Sequence, residues 1–199
     1  MALMTAAEAR VYIRGMTGTG EDTNINTLIA RADGAFAHYL GFMPHTAIGT
    51  IEDVSRTEYL DAPGGILLRL PVWPVVSVTS IQDDPSHKYD GSTYLLASGD
   101  YTLYGDFGVV ELSPTGTWGE WSEGFRNLKV VYVAGWATIP ADIKHACGVQ
   151  VAHWYRNRDS IGKGSINQAG GSAQVEPLTL LPAVKEALAP YRTMSGGIG

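Results

Sequence analysis

The first forty residues show a spacing of apolar positions that predicts helices. Between residues 22 and 41 the apolar positions recur at steps of three and four, which places them on one helix face: Ile25, Leu28, Ile29, Ala32, Phe36, Tyr39 and Leu40. Asp22 or Thr23 is expected to cap this helix at its start, and Gly41 is expected to end it. A shorter helix precedes it, because Thr5 and Glu8 have the spacing of a capping box.

From about residue 50 to residue 134 the pattern changes to that of short strands. Apolar segments alternate with turns rich in Gly, Asp and Pro: TEYLD, ILLRL, VVSVTSIQ, STYLL, DYTLY, GVVEL and LKVVYVAG. TEYLD and ILLRL flank the turn APGG, and alternation in VVSVTSIQ places Val76, Val78 and Ser80 on one strand face. We expect these segments to form an antiparallel sheet or a small barrel-like unit.

Helical spacing returns near the C-terminal end. Pro140 suits the first turn of a helix that is expected to run to about Arg158. The stretch SIGKGSINQAGGSAQ follows; its Gly and Ser content predicts a mobile linker that cannot pack a core. A last helix is expected from Pro182 to about Arg192.

These patterns predict an α+β fold that is mainly a helical bundle, with two N-terminal and two C-terminal helices and an inserted antiparallel β domain. The predicted divisions are an N-terminal helix pair over 1–49, the β region over 50–134 and a C-terminal region over 135–199. The last region holds the long helix, the Gly/Ser-rich loop and the terminal helix.

Composition and charge narrow the function classes. Hydrophobic residues make up 45% of the chain and charged residues 17%, which is typical of a folded domain. Residues 51–125 carry twelve acidic and three basic side chains, so this region does not suit contact with the phosphates of duplex DNA. No apolar run is long enough to span a membrane, and no secretion signal is expected. The single cysteine excludes an internal disulfide and fits synthesis in a reducing cytoplasm.

The predicted helix after Pro140 carries the cysteine and two histidines, yet its geometry argues against a nucleophilic site. Successive helical residues rotate by about 100°, so His145 lies nearly opposite Cys147, and His153 lies roughly 120° away from it. Cys147 instead shares an apolar stripe with Ile143, Val151 and Trp154, which predicts a buried, unreactive side chain.

No other motif predicts catalysis, a metal or a cofactor. The five histidines show no metal-ligand spacing, and the loop DDPSHKYDG is more typical of a hairpin end than of a cation site. GMTGTG and GKGS lack the context of a phosphate-binding loop. Aromatic residues are frequent in the β region and suit a core first, an interface second and a sugar-stacking surface third: Trp73, Trp118, Trp121, Tyr89, Tyr94, Tyr101 and Tyr104.

Three passages resemble a known family when they are taken in order. They are YVAGWATIPADIK at the passage from strand to helix, AHWYRNR at the end of that helix, and LAPYR near the C-terminal end. With the N-terminal helix pair, their order and spacing over about two-thirds of the chain resemble the head–tail connector (adaptor) proteins of long-tailed bacteriophages.

The resemblance implies a structural protein of the virion, made in the host cytoplasm, with no cofactor. Such proteins form a ring, typically of twelve subunits, under the portal; DNA passes through the ring without sequence-specific binding, and a stopper or tail-terminator protein attaches to it. Portal docking would fall to the terminal segment, at Leu178, Leu181, Val184, Leu188, Tyr191 and Arg192. Subunit contacts are expected at the helix end, at Trp154, Tyr155, Arg156 and Arg158.

Two other functions stay open at this point. A β-rich carbohydrate- or protein-binding module of a tail or baseplate would present exposed, coplanar aromatic rings. An unrecognised hydrolase would hold a carboxylate or histidine with a strongly shifted pKa in a pocket, and no residue is nominated for that role.

Overall fold

A computed structural model describes residues 3–42, 50–158, 165–168, 171–174 and 179–192. The fold is α+β, as predicted. The described parts of Met1–Leu40 and Ile139–Arg192 form one compact unit, the helical unit. The described part of Gly41–Thr138 forms a second compact unit, the β unit.

The helical unit contains four helices: α1 (Ala6–Arg10), α2 (Asp22–Leu40), α3 (Ala141–Arg156) and α4 (Pro182–Leu188), the last followed by a 3-10 turn over Ala189–Tyr191. The predicted capping box at α1 is present: the Glu8 amide donates to Thr5 Oγ1 at 3.2 Å, and the Thr5 amide donates to Glu8 Oε2 at 2.6 Å. Gly41, with φ of 86°, ends α2 as expected.

The apolar stripes of α2 and α3 supply the core of this unit. Ile25, Ile29, Ala32, Phe36 and Leu40 are buried on α2, and the predicted stripe of α3 is buried as well: Ile143, Cys147, Val151 and Trp154. Helix α3 ends at Arg156, two residues before Arg158, with Asn157 as its C-cap; the Asn157 amide makes the last helical bond, to the His153 carbonyl at 3.1 Å.

The β unit contains two separate three-stranded antiparallel sheets. The strands are β1 (Val54–Ala62), β2 (Leu67–Arg69), β3 (Val75–Asp83), β4 (Tyr101–Tyr104), β5 (Val109–Leu112) and β6 (Gly124–Ala134). One sheet has the order β1-β6-β3 and the other β2-β5-β4. A 3-10 turn over Gly105–Phe107 joins β4 to β5.

The turn APGG lies between β1 and β2, as predicted; these strands belong to different sheets, and Gly64 and Gly65 are both at positive φ. Two details of the predicted strands are corrected. STYLL is not a strand and makes a single bridge, from Leu95 to Gln82. Register shifts after Val75 and Val78 interrupt the alternation of β3, so its predicted face is not continuous.

The description as mainly a helical bundle is not matched. Helix α1 has five residues and α4 has seven, so that among the described helices only α2 and α3 are longer than two turns, and six described strands lie between them in the chain. The Gly/Ser-rich stretch is also not merely a linker. Two short antiparallel strands occur in it, β7 (Ser165–Gln168) and β8 (Gly171–Gln174), because a backbone ladder needs no apolar side chain.

Polar side chains are buried inside the β unit with partners. Tyr132 Oη donates to Glu58 Oε2 at 2.8 Å. Burial, as the larger cause, and this carboxylate both raise the pKa of Tyr132. Arg56 is fully buried, donates to the Thr50 carbonyl at 3.0 Å, and lies over the ring of Phe42. These contacts give the buried polar groups of the β unit partners inside the fold.

The DDPSHKYDG loop uses its carboxylates to hold its own backbone. Asp84 accepts bonds from the amides of Ser86 and Tyr89, each at 2.8 Å, and these bonds lower its pKa. Asp83 is buried and accepts from the amide of Ser122 at 2.8 Å; burial nonetheless raises its pKa. The predicted hairpin-end role fits this bonding better than a cation site does.

A pair of glycine substitutions tests the packing of the helical unit. A Cβ on Gly148 of α3 would lie 2.5 Å from ring carbons of Tyr12, whereas a Cβ on Gly34 of α2 would meet nothing within 4 Å. Gly148→Ala is expected to destabilise the protein by about 1–3 kcal/mol through overpacking. Gly34→Ala, the matched control, is expected to stabilise it by about 0.5–1 kcal/mol because alanine favours the helix. Denaturant unfolding, monitored by circular dichroism, measures the free energy of unfolding of both variants. Equal changes in the two variants would contradict the close packing of Gly148 against Tyr12.

The thiol of Cys147 is expected to be inert in the folded protein. The side chain is fully buried, and this burial, together with the nearby carboxylate of Asp33, raises the pKa of the thiol to about 12. Labelling with a thiol reagent at pH 7.5 should be at least a hundredfold slower, as an order of magnitude, in native than in unfolded protein. Rapid labelling of native protein would overturn the burial and reopen the nucleophile hypothesis.

Candidate assembly site in the helical unit

Among the described residues, no group of three or more His, Cys, Asp or Glu is placed to hold a metal ion. Cys147 is fully buried on the apolar stripe of α3, as its position on the helix predicted. In the described part of the chain, no helix combines the length and apolar character that a membrane span needs.

The predicted subunit-contact residues divide into buried and exposed members. Trp154 and Tyr155 are buried at the end of α3, and the guanidinium of Arg31 lies 4.5 Å from the ring centroid of Trp154. Arg158 lies 4.0 Å from the ring centroid of Tyr155 and donates to the Tyr155 carbonyl at 2.9 Å. Arg156 and Arg158 are exposed, so two cations lie at the surface of this helix end, and one of them, Arg158, is over a buried aromatic ring.

The predicted docking residues divide in the same way. Val184 and Leu188 are buried and attach α4 to the helical unit, whereas Leu181 and Tyr191 are half-buried and Arg192 is exposed. Leu178 lies outside the described residues. Val184 and Leu188 are therefore occupied by packing within the chain and are not available to a partner.

Specific polar contacts fix the terminal segment to the rest of the helical unit. Tyr191 Oη donates to Asp142 Oδ2 at 2.9 Å, and this bond raises the pKa of Tyr191. Tyr39 Oη donates to the Lys185 carbonyl at 3.2 Å, and Arg192 lies 5.3 Å from the ring centroid of Tyr39. The segment is thus ordered against α2 and α3 within a single chain.

Gln150 is a structural residue that the sequence pattern did not single out. It is fully buried on α3, accepts from the Leu181 amide at 2.9 Å, and donates to the Thr179 carbonyl at 3.3 Å. Its position in the sequence could have indicated this role. Gln150 lies three residues after Cys147 on the apolar stripe, where a buried polar side chain needs a hydrogen-bond partner.

A depression of about 300 Å³ brings the two predicted sets together. It is lined by Tyr12, Val149, Ala152, His153, Arg156 and Leu181, and is called the Arg156 pocket below. Arg156 Nη2 donates to the Tyr12 carbonyl at 3.2 Å, and Tyr12 Oη lies 3.2 Å from His145 Nδ1. Tyr12 was not among the predicted site residues, because only the packing of three segments places it beside α3.

The alternative of a sugar-binding module gains no support from the described aromatic rings. Tyr59 and Tyr89 lie side by side in the β unit, but their rings are inclined at 62°. Phe42 and Trp136 are stacked at 22°, but Phe42 is fully buried. A stacking surface for sugar needs exposed and nearly coplanar rings.

Two solved structures are similar to the chain over nearly its whole length. One belongs to the neck of an empty GTA (gene transfer agent) particle computed with C6 symmetry; it has 20% identity and a TM-score of 0.62, and covers 99% of this chain and 93% of that chain. The other belongs to the neck of a native GTA particle computed with C12 symmetry, with 19% identity, a TM-score of 0.54 and coverage of 98% and 91%. At these identities the likeness shows a shared fold. No curated protein matches the chain significantly.

A protein-family model is more specific about identity. The model described as "Head completion protein" matches residues 2–194, which is nearly the whole chain. This match confirms the resemblance to head–tail connector proteins. The chain therefore belongs to the head completion protein family, and it is a structural adaptor protein at the head–tail interface of a virion.

Proposed function

We propose that the protein assembles as a ring, of twelve subunits, under the portal, where it extends the DNA channel and offers the attachment surface for a stopper or tail-terminator protein. The observation that carries this proposal is the fold shared over nearly the whole chain with neck proteins of particles that were treated with C6 and C12 symmetry. The family match over residues 2–194 supports the same role. Its work is mechanical, and we propose no enzymatic activity.

Charge supports a conduit that does not bind DNA tightly. Duplex binding depends on clustered Lys and Arg, whereas residues 51–125 carry twelve acidic and three basic side chains. We therefore propose that DNA passes through the ring without sequence-specific contacts. A strongly basic lumen would retain the DNA that the virion must release.

Portal docking is proposed for the terminal segment, at residues Leu178–Arg192. In it, Val184 and Leu188 anchor α4 to the helical unit, while Leu181, Tyr191 and Arg192 remain accessible in whole or in part. An anchored helix with an accessible end is preorganised for binding, because little conformational entropy is left to lose. The subunit contacts are proposed for the exposed Arg156 and Arg158, at the helix end where Trp154 and Tyr155 are buried and Arg158 lies over the Tyr155 ring.

The docking proposal predicts that changes at the accessible end of α4 weaken portal binding. Tyr191→Ala combined with Arg192→Glu should reduce the fraction of portal particles that carry an added ring about tenfold, as expected for loss of a Tyr/Arg contact. Electron microscopy of the protein mixed with the portal of the same virus measures this fraction.

The matched control is Arg14→Glu, which reverses an exposed charge on the same unit outside the terminal segment. Circular dichroism should show that both proteins keep the wild-type helix content. Truncation after residue 177 is a less specific test, because it also removes Val184 and Leu188 from the core. If the double variant forms rings on the portal at wild-type occupancy, the terminal segment does not dock on the portal. If the wild-type protein forms no ring, the proposed adaptor ring is itself wrong.

A further inference from the structure

Three large apolar side chains are strongly exposed in the described part of the chain. Val11 is 84% exposed, and Phe107 and Phe125 are each 71% exposed. Val11 precedes Tyr12, which is one of the residues that line the Arg156 pocket. Phe107 follows the exposed carboxylate of Asp106, whereas Phe125 precedes the exposed guanidinium of Arg126. The neighbour of Phe107 is therefore negatively charged, whereas the neighbour of Phe125 is positively charged.

Phe107 projects from a rigid turn, called here the Phe107 turn and comprising residues 105–108. The Gly108 amide donates to the Gly105 carbonyl at 3.2 Å, and the Leu70 amide donates to the Gly108 carbonyl at 2.7 Å. Both glycines are required: Gly108 has φ of 62°, and a Cβ on Gly105 would overlap the Val75 carbonyl. An exposed aromatic residue on a fixed turn loses little entropy when it is buried by a partner.

The Arg156 pocket has the complementary chemistry. Its wall is apolar at Val149, Ala152 and Leu181, while the Arg156 guanidinium supplies N–H donors and no carboxylate is among the lining residues. The guanidinium of Arg156 uses one described bond, to the Tyr12 carbonyl, and is otherwise exposed. A planar guanidinium with free N–H groups is well suited to bind a carboxylate.

We propose that the Phe107 turn of one copy inserts into the Arg156 pocket of the neighbouring copy, with Asp106 facing Arg156. The inference rests on the proposed ring and names a contact that closes it. A ring is built from a heterologous contact, in which two different surfaces of one chain are complementary. Charge selects the occupant, because Phe125 would bring Arg126 towards Arg156, whereas Phe107 brings Asp106.

Charge exchange in separate chains tests the contact. Ring occupancy on the portal is measured by electron microscopy for D106K, R156D, F107A and, as a control of equal exposure, F125A. D106K, R156D and F107A are each expected to lower occupancy about tenfold, and F125A is expected to leave it unchanged. An equimolar mixture of D106K chains and R156D chains should restore the ring, because alternating copies then pair opposite charges at every contact.

The mixture separates a contact between copies from damage within one chain. Loss of the pocket's local structure in R156D, where the bond to Tyr12 is also removed, would not be repaired by adding D106K chains. If D106K and F107A form rings at wild-type occupancy, this contact is wrong. The contact is also wrong if the mixture does not restore the occupancy lost in the single variants. In both cases the ring proposal stands. Absence of a wild-type ring would overturn both.

Discussion

The two hydrogen bonds of one buried amide, that of Gln150, hold the terminal segment of the helical unit in place. The side chain accepts from the Leu181 amide and donates to the Thr179 carbonyl, so both ends of it are used by the backbone that leads into α4. Leaving a buried amide unpaired costs about 1–3 kcal/mol, so this register of the segment is strongly preferred. The burial of Val184 and Leu188, the bond from Tyr191 to Asp142, and the Leu181 side of the Arg156 pocket all depend on it.

This constraint also explains why the predicted assembly residues have unequal roles. A helix that docks on a partner must first be held by its own chain, and the apolar residues Val184 and Leu188 do this by being buried. The same holds at the end of α3, where Trp154 and Tyr155 are buried and Arg156 and Arg158 are exposed. Apolar side chains thus position these surfaces and leave polar side chains exposed for the contacts proposed above.

The β unit is held together by a different kind of contact. Its buried Arg56, Glu58 and Tyr132 are joined through hydrogen bonds and charge, and the carboxylates of Asp84 and Asp100 hold loop backbones. Glycines allow the close approaches that fix the Phe107 turn. Loops fixed in this way can project an apolar side chain such as Phe107 without collapsing onto the unit.

The sequence by itself determined the features that depend on neighbours along the chain. The capping box of Thr5 and Glu8, the buried stripes of α2 and α3, the end of α2 at Gly41 and the burial of Cys147 follow from spacing within one helix. Ordered motifs such as AGWATIPADIK also indicated the family, since they combine a strand end, a turn and a helix start in a short stretch.

Only the tertiary structure decided which distant segments meet. The division of the strands between two sheets, the ladder within the Gly/Ser-rich stretch, and the meeting of Tyr12, Arg156 and Leu181 depend on pairings between residues far apart in the chain. Local periodicity is the same whichever partner a strand or helix face finds, so it does not select one. That choice is made by the buried polar groups, such as Gln150 and Arg56, because each must find a partner inside the fold.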